Sequence, residues 1–337
     1  DAVLDKTLSK WEKLYDIKPH DPDFGMRFED VIQCAYEKSG ERVVVLVDEY
    51  DKPLLETIGN EALQEDYRST LKSFYGALKS KDDCIKFAML TGVTKFGKVS
   101  VFSDLNNLKD ISLDNRYYNL CGIDEGELHG VFEPYVQRLA DSQNITLDKA
   151  YSELKRNYDG YHFSKNMVGM YNPFSLLNAF DSLEIGNYWF ETGTPSYLVE
   201  LMQDQDMKLW NITKKLVSSD VLNSVDIATT EPISVIFQSG YLTIKGYKNE
   251  YDGYLLGFPN EEVKRGFLRY LIPRYTSVRP SDTAFEIESF VEEVRGGDIS
   301  GFMKRLKSFF ANTPYDLIKD TENHYQNVLF ILCNLCG

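Results

Sequence analysis

The run Val43-Val44-Val45-Leu46-Val47, followed at once by Asp48 and Glu49, constrains this chain more than any other feature. An unbroken series of Val and Leu with no polar alternation describes a strand covered on both faces, and such strands belong to parallel α/β sheets. The two adjacent carboxylates fall where open α/β sheets bind ligands, outside the carboxyl ends of the strands. Helical spacing from Met26 to Lys38 and from Tyr67 to Leu78, with a second apolar run from Ile85 to Thr91, gives the order helix, strand, helix, strand. A right-handed parallel crossover follows, with Arg42 to Asp48 as a central strand. A shorter amphipathic helix is expected from Leu8 to Tyr15, and Asp51 and Pro53 suit the cap and first turn of another.

The acidic strand end has a specific chemistry. Four or more apolar strand residues ending in two acids match a Walker B motif of a nucleotide hydrolase. In that setting Asp48 is the metal ligand, helping to hold a Mg²⁺ ion that bridges the β- and γ-phosphates, and Glu49 is the catalytic acid that orients the attacking water. Thr91, at the end of the neighbouring strand, is placed to sense the γ-phosphate or the water. Thr94 and Lys95 follow it and are candidates to face the nucleotide. The competing reading is structural: acids often cap a following helix, although Asp51 can do that here, and Thr91 and Thr94 can hydrogen-bond their own loop. Gly92-Val93-Thr94-Lys95-Phe96-Gly97-Lys98 imitates a phosphate-binding loop, but Val99 stands where Ser or Thr is required, and no good helix begins there.

Composition narrows the alternatives. With 337 residues, 43% hydrophobic and 26% charged, the chain has room for two or three globular domains. Its longest apolar runs, Val43 to Val47 and Val328 to Cys333, fall far short of the roughly 20 residues of a membrane-spanning helix. A net charge of -15 opposes general nucleic-acid binding, which needs clustered Lys and Arg. The five cysteines are odd in number and dispersed, which argues against a disulfide framework and fits a reducing cytoplasm. Cys333 and Cys336 read as core residues of an apolar helix rather than a zinc or redox pair, and Asp1 in place of an initiator Met suggests a piece of a longer protein.

Beyond the first sheet a short strand is expected from Leu105 to Leu113, and a boundary near Asp114. Asp124 to Tyr158 has helical periodicity. Ile233 to Ile244 and Tyr254 to Phe258 read as strands of a hairpin, so helices plus hairpin suggest a winged-helix-like region. A linker is expected between Pro273 and Pro280, and Phe285 to Phe310 reads as two amphipathic helices. The domains are therefore 1–114, 115–275 and 276–337. His162, between Tyr161 and Phe163, reads as a packed loop histidine.

Several strings together resemble one family: VVVLVDEYDKP at 43–53, LTGVTKF at 90–96, LNNLKDISL at 105–113, YDGYHF at 158–163, YNPFS at 171–175, WFETGTP at 189–195 and QSGYLTI at 238–244. They are similar to bacterial AAA-ATPase-like proteins that end in a PD-(D/E)XK nuclease-like domain, and the resemblance runs through nearly the whole chain. It implies an incomplete P-loop NTPase-like (RecA/AAA-like) α/β part, then the helical, winged region, then a helical segment that opens a nuclease-like domain. It also implies a phosphate-binding loop upstream, ATP and Mg²⁺ as cofactors of the complete protein, and Glu322 as a first acidic residue of the nuclease-like part, whose metal-binding strand has no match here.

The expected function is thus a fragment of an ATP-driven protein that is inactive alone and holds no tightly bound metal. The alternative is a non-catalytic protein-interaction module whose acids are caps. Nucleic-acid binding through the winged region is a third reading, disfavoured by charge. The helix around Val328 to Leu335 is apolar on nearly all sides, so it is expected to pack on preceding helices or on another molecule, with self-association in the second case.

Overall fold

The computed structural model describes residues 2–18, 22–55, 57, 60–93, 105, 107–191, 202, 207–223, 232–276, 278–311 and 321–336. They form two compact units, one of residues 1–110 with 220–234 and the other of residues 111–219 with 235–337. The folds are mixed α/β with helices predominating.

In the first unit, helices α1 (Ala2–Tyr15) and α2 (Phe24–Ser39) precede strand β1 (Val43–Val47). The short α3 (Lys52–Leu55) and long α4 (Glu61–Ser80) lead to β2 (Ile85–Leu90). The helix ends follow from local chemistry. The Asp23 side chain accepts from Met26 N at 2.9 Å to start α2, and Gly40 at φ 70° ends it. Asn60 caps α4 through Leu63 N at 3.1 Å. α2 and α4 pack so closely that a Cβ on Gly25 would lie 2.5 Å from the Ser73 carbonyl oxygen. Phe28 stacks on Phe74 with centroids 4.6 Å apart, and Leu8, Ile32, Val45, Leu54, Leu71 and Leu78 fill the core around them.

β1 and β2 pair in parallel, Val44 opposite Phe87 and Leu46 opposite Met89. Two expectations fail at this sheet. Among the described residues β1 has β2 as its one neighbour and is not a central strand. Nor is it covered on both faces: Val45 is 8% exposed, whereas Val44, Leu46 and Phe87 are 52%, 71% and 52% exposed. Uniform Val and Leu content hides this asymmetry, because both faces of the strand carry the same kind of side chain. Leu46→Lys is accordingly expected to change thermal stability by no more than about 0.5 kcal/mol, as for other surface positions, and Val45→Lys to unfold the unit. Circular dichroism melts distinguish the two.

The strand expected from Leu105 to Leu113 does not form among the described residues. Leu105 and Leu108 instead drop into the core, and Asn107 Nδ2 bonds the Leu78 carbonyl at 3.4 Å and Asp82 at 3.2 Å.

The second unit opens with α5 (Glu125–Gly130), α6 (Glu133–Gln143), α7 (Leu147–Tyr158) and α8 (Pro173–Ser182). A reciprocal Asp124–Glu127 capping box starts α5, and Asn172 caps α8. Strands β3 (Leu216–Ser218), β4 (Thr243–Lys248) and β5 (Gly253–Gly257) form an antiparallel sheet in the order β3-β5-β4. The strand expected from Ile233 to Ile244 is mostly absent, because Pro232–Gln238 is a helix. Pro232 suits a first helical turn and Gly240, at φ 82°, suits its exit. Ile233, Val235 and Ile236 are all buried, and a short buried run has no periodicity that separates helix from strand.

Towards the end of the described residues come α9 (Glu261–Tyr275), α10 (Thr283–Arg295), α11 (Ile299–Ala311) and α12 (Thr321–Cys336). Pro273 lies inside α9 and does not begin a linker. Glu262 is buried, and its carboxylate takes Ser175 Oγ at 2.7 Å and Trp189 N at 2.8 Å, tying α9 to α8. α12 packs on α9 and α10, burying Val328, Ile331 and Leu332. Leu329 on the same helix stays 37% exposed. Cys333, expected in the core, is exposed.

Candidate functional site

Asp48 follows the last residue of β1, and Thr91 follows the last residue of β2. In a regular parallel ladder, a residue whose N–H bonds residue 47 would accept at its carbonyl from the amide of residue 49. Thr91 N donates to the Val47 carbonyl at 2.8 Å, but the Thr91 carbonyl accepts from Tyr50 N at 2.9 Å. One residue is extra, so the backbone bulges through Asp48 and Glu49. Glu49 takes up the surplus at φ 53°, a left-handed conformation that costs a non-glycine residue about 1 kcal/mol.

Asp48 compensates for the bulge. Its Oδ1 accepts from Glu49 N, the amide displaced from the ladder, at 3.0 Å. The same oxygen accepts from the Thr91 hydroxyl at 2.5 Å. Among the described residues Oδ2 takes no hydrogen bond, and the Asp48 side chain is exposed. Asp48 and Thr91 are therefore brought together through Asp48 Oδ1. Glu49 turns elsewhere: its Oε2 lies 3.3 Å from Lys52 Nζ, both side chains being more than half exposed. Such a surface pair is worth less than about 1 kcal/mol, so it restrains Glu49 only weakly.

Below the exposed acids lies Asp51, fully buried. Its carbonyl accepts from Leu54 N and Leu55 N, at 2.9 and 3.0 Å, and so begins α3. Its carboxylate sits against Gly92, where an added Cβ would lie 2.6 Å from Asp51 Oδ1 and 2.6 Å from the Tyr50 ring. Burial, followed by the charge of Asp51, pushes the nearby Tyr75 phenol up to about 12. Composition marked Asp51 only as a helix cap and did not single out Gly92 apart from its loop; the sole signal was their place beside the two strand ends.

Thr94 and Lys95 lie outside the described residues, as does the Gly97-Lys98-Val99 end of the imitation loop. Among the described residues no three His, Cys, Asp or Glu side chains gather to hold a metal ion. The arrangement at Asp48 nonetheless suits Mg²⁺, which uses one or two protein carboxylates and draws its other ligands from phosphate and water. Two other candidates sit in the second unit. His162 Nδ1 is 2.8 Å from the Ile244 carbonyl, and burial, then Lys245, lowers its pKa, as befits a packed loop histidine. Glu322 is exposed on α12 and accepts from Gln326 Nε2 at 3.0 Å.

The first unit thus carries an acid and a hydroxyl together at the carboxyl end of a parallel strand pair, and sequence comparison relates the same region to an ATPase-like family. Residues 1–102 match the profile of an AAA-ATPase-like family described as "Predicted AAA-ATPase". The chain is also similar to an uncharacterized protein encoded in the vnfD 5′ region of Azotobacter chroococcum mcd 1, at 35% identity over 311 residues. That alignment covers 90% of this chain and 58% of the relative, so the chain spans little more than half of the relative's length. No solved structure matches. Among the described residues no helix is long and apolar enough to cross a membrane.

Proposed function

We propose that this chain is the later part of an ATP-driven cytoplasmic protein whose α/β region, 1–114, binds MgATP when joined to an upstream phosphate-binding loop. In this reading residues 115–275 form a helical, winged-helix-like region, and 276–337 lead into a nuclease-like domain. The observation that carries the proposal is the bulge, which lifts Asp48 and Glu49 out of the ladder beside the Thr91 hydroxyl. Asp48 would hold Mg²⁺ through Oδ2, while Thr91 fixes the other oxygen. The ion supplies charge neutralisation for the phosphates. Glu49, released from Lys52, would orient the attacking water, and Thr94 and Lys95 would face the nucleotide.

The open sheet face supports the same reading, since parallel strands are ordinarily covered by helices on both sides. It also favours the second reading, a non-catalytic module that docks a protein partner through Val44, Leu46 and Phe87. Titration of a longer protein with a fluorescent ATP analogue, with and without Mg²⁺, separates them. Mg²⁺-dependent binding weakened by Asp48→Asn supports the nucleotide site, and binding indifferent to both Mg²⁺ and Asp48 opposes it.

A further inference from the structure

Asp48 and Thr91 meet only because the bulge has one particular depth, and three contacts around it set that depth. The Thr91 carbonyl holds Tyr50 N, and the Thr91 amide holds the Val47 carbonyl, so residues 47 and 50 are pinned on either side of the looped-out acids. Gly92, two residues past the end of β2, leaves no room for a side chain between the Tyr50 ring and the Asp51 carboxylate. Asp51 is itself fully buried and anchored by the two amides that open α3. A hydrogen on Gly92 is thus the spacer between the turn and the end of β2. A methyl there must push the turn away from β2, and loss of the Asp51 carboxylate must let it collapse inward.

We propose that Asp51 and Gly92 are positioning residues of the Asp48–Thr91 site: their contact sets the separation of the two strand ends at which the Thr91 hydroxyl reaches Asp48 Oδ1. The inference rests on the reading of that site as a nucleotide site for its biological meaning, but the geometry it asserts belongs to this chain without nucleotide. Asp51 acts through Tyr50 and α3, Gly92 through Thr91, and the exposed acids are presented as a consequence.

The test is amide hydrogen exchange on the chain alone, comparing Gly92→Ala, Asp51→Ala and the nearly isosteric Asp51→Asn. Gly92→Ala and Asp51→Ala are expected to speed exchange at Glu49, Tyr50 and Thr91 by about tenfold or more, while amides within β1 and α4 change by less than about twofold. Asp51→Asn, which keeps the shape against Gly92, should retain the protection. Uniform acceleration throughout the unit would show a general stabilising role and overturn the proposal, as would unchanged exchange at Tyr50 and Thr91 in both disruptive variants. If either variant fails to fold, the Asn variant still decides: selective acceleration at these three amides, despite preserved shape, contradicts positioning by packing. Failure of nucleotide binding in a longer protein would leave these exchange results intact, so the two readings fail separately.

Discussion

Glu12→Ala is expected to destabilise the first unit by about 3 kcal/mol, the largest stability loss we foresee for a single change outside its apolar core. Arg27 on α2 lies along α1 and donates from Nε to Glu12 Oε1 at 2.6 Å and from Nη2 to Glu12 Oε2 at 2.9 Å. The two side chains are 9% and 2% exposed, so this is a buried, two-bond pair. Hydrogen bonds to Glu12, then to Asp5, raise the guanidinium pKa further above its ordinary value, and it stays charged at any working pH. Removing Glu12 leaves that charge buried with Asp5, itself mostly exposed, at 2.7 Å and Ser9 at 3.1 Å. These remaining partners hold the cost near the lower end of the range for a broken buried pair. Urea unfolding of the variant measures it. A double replacement, Glu12→Leu with Arg27→Met, should recover most of the loss, because an apolar pair of similar volume carries no desolvation penalty; no recovery would mean the pair supplies net stability beyond its own burial cost.

How far the sequence foretold this molecule depended on whether a feature was local. α2, α4, β1, β2 and the paired helices α10 and α11 were readable from the spacing of their apolar residues, whereas the caps at Asp23 and Gly40 were not picked out. The parallel pairing followed from the strand–helix–strand order. What covers β1 was not readable, since Val44 and Leu46 look as buried as Val45 until a partner layer is known. The Pro232–Gln238 helix was mistaken for a strand because its apolar residues are buried all round. At the candidate site, Asp48, Glu49 and Thr91 stood out by chemistry, but the bulge did not. It depends on a hydrogen bond across the sheet, from Tyr50 to Thr91, and on the close approach of Gly92 to Asp51, neither of which leaves a local pattern.

The second large effect concerns turnover. In a longer protein with a working phosphate-binding loop, Glu49→Gln should lower ATP hydrolysis by at least about 100-fold, the usual contribution of a positioned acid–base group. Gln keeps the size and the left-handed turn but cannot accept a proton from the attacking water. Binding should persist, because Asp48 and the loop hold the nucleotide rather than Glu49. The chain alone should show no hydrolysis above background, with or without the substitution. Phosphoryl transfer depends on amides and a lysine that cradle the γ-phosphate, and carboxylates without them repel the triphosphate. A net charge of -15 adds no compensating field. Steady hydrolysis by the chain alone, lost in Glu49→Gln, would instead mean that the Gly92 to Lys98 loop binds phosphate.

The most direct measurement is photocrosslinking of an azido-ATP analogue to a longer protein in the presence of Mg²⁺, followed by peptide mapping. Label is expected on the peptides carrying Asp48 to Lys52 and Thr91 to Lys95, competed by ATP and reduced by Asp48→Asn; label confined to other peptides, or insensitive to Mg²⁺ and to Asp48, would contradict a nucleotide site there.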